Sequence, residues 1–189
     1  MGSRTSKLFV ISGPSGAGKG TLVSRVREMR SGLGLTVSAT TRAPREGEVD
    51  GVNYYFLSKE DFERRIGLGE FVEWAEVHGN YYGTLVSEVE SKLASGSSLI
   101  LEIDVQGAIN VKKRFPDAVL IFIQPPSLEV LEQRLVGRGS ETPETLALRM
   151  KDAVEEMAFA DRYDDVVVND DLERATAQLA ETLDRYERN

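Results

Sequence analysis

The run Gly13-Pro14-Ser15-Gly16-Ala17-Gly18-Lys19-Gly20-Thr21 carries the strongest chemical signal in the chain. It follows the pattern GxxxxGK[ST] as far as the lysine, between a short apolar run, Leu8 to Ser12, and a segment with helical spacing. Glycines let backbone N–H groups converge on phosphate oxygens, and a helix N-terminus adds partial positive charge. Lys19 supplies a cation for the outer phosphates of a nucleoside triphosphate. The pattern expects Ser or Thr directly after the lysine, whereas Gly20 stands there and Thr21 follows. A Mg²⁺ ion accompanying the nucleotide would then be held mainly by phosphates and waters, which suits a cation that dehydrates reluctantly.

Three further groups could do chemistry. The run Leu99-Ile100-Leu101-Glu102-Ile103-Asp104 is an apolar strand ending in acid. Strand alternation would put Glu102 and Asp104 on one face, beside a metal or nucleotide; the plainer alternative is a polar strand end at a solvated edge. In Thr40-Thr41-Arg42-Ala43-Pro44-Arg45-Glu46-Gly47-Glu48, Arg42 and Arg45 flank a proline that keeps the backbone out of helix. Guanidinium forks bind phosphate bidentately, so the pair would make a monophosphate clamp, although such a loop can equally be just a solvated basic turn. Glu73 stands beside Trp74, between Tyr54 and the run Gly79-Asn80-Tyr81-Tyr82-Gly83-Thr84. A carboxylate can accept from both N1–H and the exocyclic amine of guanine, a paired donor edge that adenine lacks. Trp74 and Tyr81 read equally well as core aromatics of a small sheet.

The elements that would position these groups are legible as an alternation. Apolar runs at Leu8 to Ser12, Ser98 to Ile103, Ala118 to Ile123 and Val166 to Val168 each precede a segment of helical spacing, which predicts an α/β fold with a mostly parallel sheet. Leu22, Val23, Val26 and Met29 line one face of the first helix, and Leu172, Ala175, Leu179, Leu183 and Tyr186 one face of the last. Thr142-Pro143 reads as an N-cap with proline at the first helical position, and Ser58 with Asp61 and Ser87 with Glu90 resemble capping boxes. Residues 35–84 break the alternation and read as an insertion with its own small sheet. The polar break Gly137-Arg138-Gly139-Ser140-Glu141 separates two helices, and both interruptions are candidate moving parts.

Composition narrows the class. A chain of 189 residues with 41% hydrophobic content can bury the core of one domain, and no apolar run approaches the roughly 20 residues of a membrane span. No signal-peptide-like stretch precedes the first strand, so secretion is not supported. With no cysteine and one histidine, disulfides, thiolate zinc sites and Cys–His dyads are excluded. A net charge of −8 argues against duplex nucleic acid, whereas small phosphorylated ligands need only a local positive cluster.

Taken together, these motifs resemble the guanylate kinase family in order and spacing, from about Leu8 to the final helix. The Gly-Lys-Gly-Thr form of the loop is shared with adenylate kinases and some guanylate kinases. The resemblance implies a P-loop kinase core at 7–34 and 85–186 of a single domain 7–186, a GMP-binding region at 35–84 and a lid at about 135–155. It implies that Gly13, Pro14, Ser15, Gly16, Ala17, Gly18, Lys19, Gly20 and Thr21 bind ATP, with Asn169 by the adenine. Arg42, Arg45, Tyr54 and Tyr82 would hold the GMP phosphate, and Glu73 would read guanine. Ser38, Thr84 and Asp104 would complete the base pocket, with Glu48 nearby. Lys19, Arg42 and the lid-side arginines Arg134, Arg138 and Arg149 would serve catalysis. The implied partners are ATP with Mg²⁺ and GMP, with neither nucleic acid nor membrane, in the cytoplasm. Asn169 is also readable as a helix N-cap before Asp170-Asp171. Two rivals stand beside this reading. A GTPase would use Asp104-Val105-Gln106-Gly107 as DxxG but lacks an NKxD motif, and a kinase-like binding module would be expected to lose parts of the phosphate loop that are intact here.

Overall fold

The computed structural model describes residues 5–30, 32–77, 79–137 and 142–188. The chain builds two sheets. The larger contains β1 (Leu8–Ser12), β2 (Leu33–Leu35), β7 (Ser98–Glu102), β8 (Val119–Gln124) and β9 (Asp165–Val168) in the order β2-β7-β1-β8-β9. All its pairings are parallel. β1 reads Leu-Phe-Val-Ile-Ser and is buried at every position, as a central strand covered on both faces must be. Helices α1 (Lys19–Met29), α3 (Val86–Ala94), α4 (Val105–Arg114), α5 (Leu128–Val136), α6 (Pro143–Met157) and α7 (Leu172–Arg188) flank it. α1 and α7 close one apolar layer through Leu22, Val26, Leu179 and Leu183 over Phe9, Ile11 and Ile121. On the other layer Val10, Leu99 and Leu120 meet Val89 of α3 and Val111 of α4.

The smaller sheet comprises β3 (Ala39–Thr40), β4 (Tyr55–Phe56), β5 (Phe71–Val77) and β6 (Asn80–Leu85) in the order β4-β3-β6-β5, with α2 (Lys59–Gly67) packed on it. Its core is Ala39, Phe62, Phe71 and Leu85. The Phe62 ring stacks on Phe71 at 4.2 Å and on Tyr81 at 5.3 Å. β6 passes into α3 without a linker, since Leu85 ends one and Val86 begins the other.

Side-chain caps start most of the helices, with α1 and α3 as exceptions. Ser58 accepts from the Asp61 amide, and Thr142 with Thr145 forms a reciprocal capping box ahead of Pro143. Asp171 accepts from the Arg174 amide and so serves the start of α7, a role open to Asn169 on sequence alone. The expected box of Ser87 and Glu90 is absent. α3 begins at Val86 with no side-chain cap, because the chain enters it straight from β6 and the Val86 amide is satisfied by the Glu70 carbonyl at 2.9 Å. Asp104 is likewise not a strand residue. β7 stops at Glu102, and Asp104 caps α4 by accepting from the Gly107 amide at 2.7 Å, so the DxxG spacing is a helix start. Met29, expected on the buried face of α1, is 65% exposed because it is the helix's last residue.

Phe62 is fully buried between two rings, so Phe62→Ala should destabilise the smaller sheet by about 3–5 kcal/mol. Urea unfolding followed by circular dichroism checks this; a loss under about 1 kcal/mol would mean that this ring stack does not organise the sheet.

Candidate functional site

Parallel sheets of this kind present loops at the carboxyl ends of their strands, and the loop after β1 is the phosphate-loop sequence. It is shaped by glycines that no other residue could replace. Gly13, Gly16 and Gly18 have φ of 143°, 90° and 91°, in the region that favours glycine. A Cβ on Gly13 would lie 2.1 Å from the Ile123 carbonyl of β8, and one on Gly16 would lie 2.9 Å from Leu131 of α5. α1 starts at Lys19 with Gly18 as its cap and no side-chain hydrogen bond, so its first amides are left to a ligand in the loop. The Lys19 ammonium lies on the loop's own carbonyls, 2.5 Å from Gly13 O and 3.2 Å from Pro14 O.

Asn169, at the end of β9, underlies this loop. It is buried, its Nδ2 donates to Ala17 O at 2.8 Å, and a Cβ on Gly18 would come within 2.4 Å of that nitrogen. Its backbone amide donates to Gln124 O and its carbonyl accepts from Arg134 Nη2, both at 2.8 Å. The other terminal nitrogen of Arg134, Nη1, is buried with no hydrogen-bond partner among the described residues, as expected of a donor meant for a ligand. Arg149, on α6, reaches the loop with Nη1 at 3.4 Å from Ser15 Oγ. An open groove of about 610 Å³ between Gly16, Gly18, Thr21, Arg134 and Asn169–Leu172 runs beside it. Arg138 lies outside the described residues.

A second cleft, of about 370 Å³, separates the two sheets and is lined by Gly20, Ser38, Glu73, Thr84 and Glu102 among others. Glu73 on β5 faces Thr84 on β6 across an antiparallel pair, and Thr84 Oγ1 donates to its Oε1 at 2.8 Å. Burial pushes the Glu73 carboxyl above its ordinary range, the Thr84 hydroxyl opposes the shift, and the charge of Asp104 adds to it. Glu102 is exposed, yet the cleft walls desolvate its carboxyl and raise its pKa against the pull of Lys19. Asp104 is absent from the lining of this cleft and acts on Glu73 only through its charge, from the start of α4 rather than from the strand face.

The arginine loop is built as a holder. Thr40 Oγ1 bonds the Tyr81 carbonyl and accepts from the Arg42 amide, fixing the stem of Arg42 on the sheet. Arg42 Nη2 donates to both oxygens of Glu48 at 2.8 and 3.0 Å, while Nη1 donates to Ala43 O. The guanidinium lies 5.4 Å from the Tyr54 ring, and the Tyr82 hydroxyl stands beside it. Glu48 also accepts from the Arg45 amide at 2.7 Å, and its bonds to Arg42 and then Arg45 hold its carboxyl below the usual range. Glu48 therefore serves the arginine loop and is absent from the lining of the second cleft.

Glu156 of α6 was not singled out in the sequence. Burial raises its carboxyl, Lys19 opposes the shift, and Asp104 and Asp152 add to it, so it belongs to the same charged neighbourhood. Within an amphipathic helix it carries no local signal of that placement. Among the described residues no group of three or more acidic or histidine side chains could hold a metal ion.

Comparison with known proteins places this geometry. The family model described as guanylate kinase matches residues 5–186. A guanylate kinase from Clostridium perfringens (strain SM101 / Type A) is 54% identical over 176 residues, covering 93% of this chain and 82% of its own length. One from Rubrobacter xylanophilus is 52% identical over 182 residues, covering 96% and 95%. The crystal structure of guanylate kinase from Anaplasma phagocytophilum superposes with a TM-score of 0.73 at 34% identity, over 100% of this chain and 90% of that one. Shikimate kinase from Bacteroides thetaiotaomicron, at 16% identity and a TM-score of 0.50 over 94% of this chain and 98% of its own, shares the fold.

Because Asn169 Nδ2 holds the loop through Ala17 O, Asn169→Ala should loosen the loop and weaken binding of both ATP and inosine triphosphate, by about tenfold. Calorimetric titration of both checks this. A loss confined to ATP would instead make Asn169 an adenine contact.

Proposed function

Because the chain belongs to the guanylate kinase family, and so transfers the terminal phosphoryl group of ATP to GMP to give ADP and GDP, we propose how its own residues divide that reaction. The observation that carries the assignment is the cleft between the sheets: it brings Gly20, at the start of α1, to the same cavity as Ser38, Glu73 and Thr84. GMP lies there in region 35–84, with guanine donating to the Glu73 carboxylate and with Ser38, Thr84 and Asp104 completing the base pocket. Thr84 already orients one carboxylate oxygen. Arg42, Arg45, Tyr54 and Tyr82 take the GMP phosphate, and Glu48 holds Arg42 in position for it.

ATP occupies the loop of Gly13–Thr21, with its base in the groove beside Asn169 and Leu172. A phosphate oxygen of GMP attacks the γ-phosphorus in line as the bond to the bridging oxygen of ADP breaks. Little covalent help is needed from protein, so the barrier falls through positioning and charge neutralisation by Lys19, Arg42, Arg134, Arg138 and Arg149. Mg²⁺, when bound with the ATP phosphates, would supply further positive charge to the transferring group. The residues would fit an ion held mainly by phosphates and waters, since Gly20 offers no hydroxyl and the Glu102 carboxylate beside it, 3.7 Å from where a Cβ would stand, could accept from bound water. The segment at about 135–155 acts as the lid, bringing Arg149 onto the phosphates and excluding water. Both substrates belong to the cell's internal nucleotide pool, which supports a cytoplasmic location. Among the described residues no helix is long and apolar enough to cross a membrane.

An assay of ADP release with ATP and Mg²⁺ should show GMP preferred over AMP, CMP and UMP by up to roughly 10⁴ to 10⁵-fold, because the wrong base leaves buried groups unpaired. Glu73→Gln should raise KM for GMP by about 10 to 100-fold and relax this preference, leaving KM for ATP unchanged. A variant that kept full selectivity would remove Glu73 as the base reader. The carboxylate form is the one that accepts from guanine, and burial raises the Glu73 pKa above its ordinary 4.5. GMP affinity should therefore fall on acidification through that raised value, and Glu73→Gln should abolish this step of the pH profile.

A further inference from the structure

We infer that Glu88 is the pivot on which the smaller sheet turns against the larger one, a positioning residue for GMP phosphorylation that acts through the sheet. Glu88 lies in the first turn of α3 and is 8% exposed. Its Oε1 accepts from the Val37 amide at 3.0 Å and lies 2.8 Å from Lys92 Nζ, and its Oε2 accepts from the Tyr55 hydroxyl at 2.9 Å. Lys92 in turn donates to the Leu35 carbonyl at 2.7 Å. Leu35 ends β2 in the large sheet, Val37 lies in the link to β3, and Tyr55 is on β4 in the small sheet.

The chain passes between the two sheets at 36–38 and at the β6–α3 junction, and this carboxylate, just past the second crossing, is bonded to the Val37 amide at the first. Bonds close to a rotation axis change length least, so a carboxylate placed where both strands of the connection cross can stay bonded while the sheet closes. A buried charge must be paired, and this one is saturated from three elements. Burial alone would raise its pKa, but the bonds from Lys92, Val37 and Tyr55 outweigh burial and keep it ionised. The smaller sheet has its own apolar core, so losing Glu88 should leave it folded but free to sample more orientations. That freedom would have to be given up on each closure over GMP.

The inference rests on the reading that the smaller sheet holds GMP, and steady-state kinetics on the full chain separate the two. Glu88→Gln should raise KM for GMP and lower kcat, with kcat/KM for GMP down about tenfold and KM for ATP within about twofold of the parent. Tyr55→Phe should shift the same constants in the same direction by less, and the double variant should be no worse than Glu88→Gln alone, because both act through one network. Unchanged GMP constants would overturn the pivot. So would a parallel rise in both KM values, the mark of general destabilisation, or tighter GMP binding, the mark of a latch that holds the sheet open. If Glu88→Gln does not fold, Tyr55→Phe decides alone, and an unchanged KM for GMP then overturns the pivot. Glu73→Gln run in parallel keeps the failures apart. If it leaves KM for GMP unchanged, the acceptor-site reading fails; if it raises KM while Glu88→Gln does not, the pivot fails.

Discussion

The phosphate loop has no room for a Cβ at Gly13, Gly16 and Gly18, and the rest of the architecture is arranged around that lack of room. Each of these glycines is pressed against a different neighbour: the Ile123 carbonyl of β8, Leu131 of α5 and the Asn169 amide at the end of β9. The loop is thus held between two strand ends and a helix. A shift of any of them would widen or crush the space where phosphate oxygens must meet backbone amides. The same contacts bring Arg134 into register, since its guanidinium rests on the Asn169 carbonyl. Positive charge and loop geometry are therefore set by one residue at the edge of the sheet.

Beside this fixed half stands a lighter one, the four-stranded sheet with α2. Acids on both sides of the cleft work against stability. Glu73, Glu102 and Glu156 all have carboxyls raised by burial. A carboxyl raised in the folded state favours folding below its unfolded pKa, and that contribution is lost as pH rises through the folded value. Ionising these carboxyls at neutral pH consequently costs stability. Glu88 and Glu48 are the opposite case, since paired donors hold both ionised. The acids held ionised differ from the raised ones in how completely their oxygens are satisfied.

Much of this was legible in the sequence because local rules dominate there. The buried strands read as unbroken apolar runs, α7 as a stripe ending in buried Leu179 and Leu183, and α6 from its Thr142-Pro143 start. The phosphate loop was legible because its backbone tolerates only glycine at fixed offsets from the lysine. What could not be read depends on contacts distant in the chain. β2 is three residues containing a glycine and has no periodic signal of its own, existing only by pairing with β7. α3 lost its expected cap because a strand runs directly into it, and Asp104 changed from strand face to helix cap when β7 ended early. Glu88 and Glu156 look like ordinary solvated acids on amphipathic helices. Only Val37 and Tyr55 for the first, and Lys19 and Asp104 for the second, give them a role.

Trp74 follows Glu73 directly on the edge strand β5, half open to solvent and edge-on to Tyr81 at 5.8 Å. It is the chain's one tryptophan. Intrinsic fluorescence excited at the indole band therefore comes from the smaller sheet alone. The unlabelled protein carries its own optical probe, one that reports on the surroundings of the smaller sheet while the larger sheet stays dark.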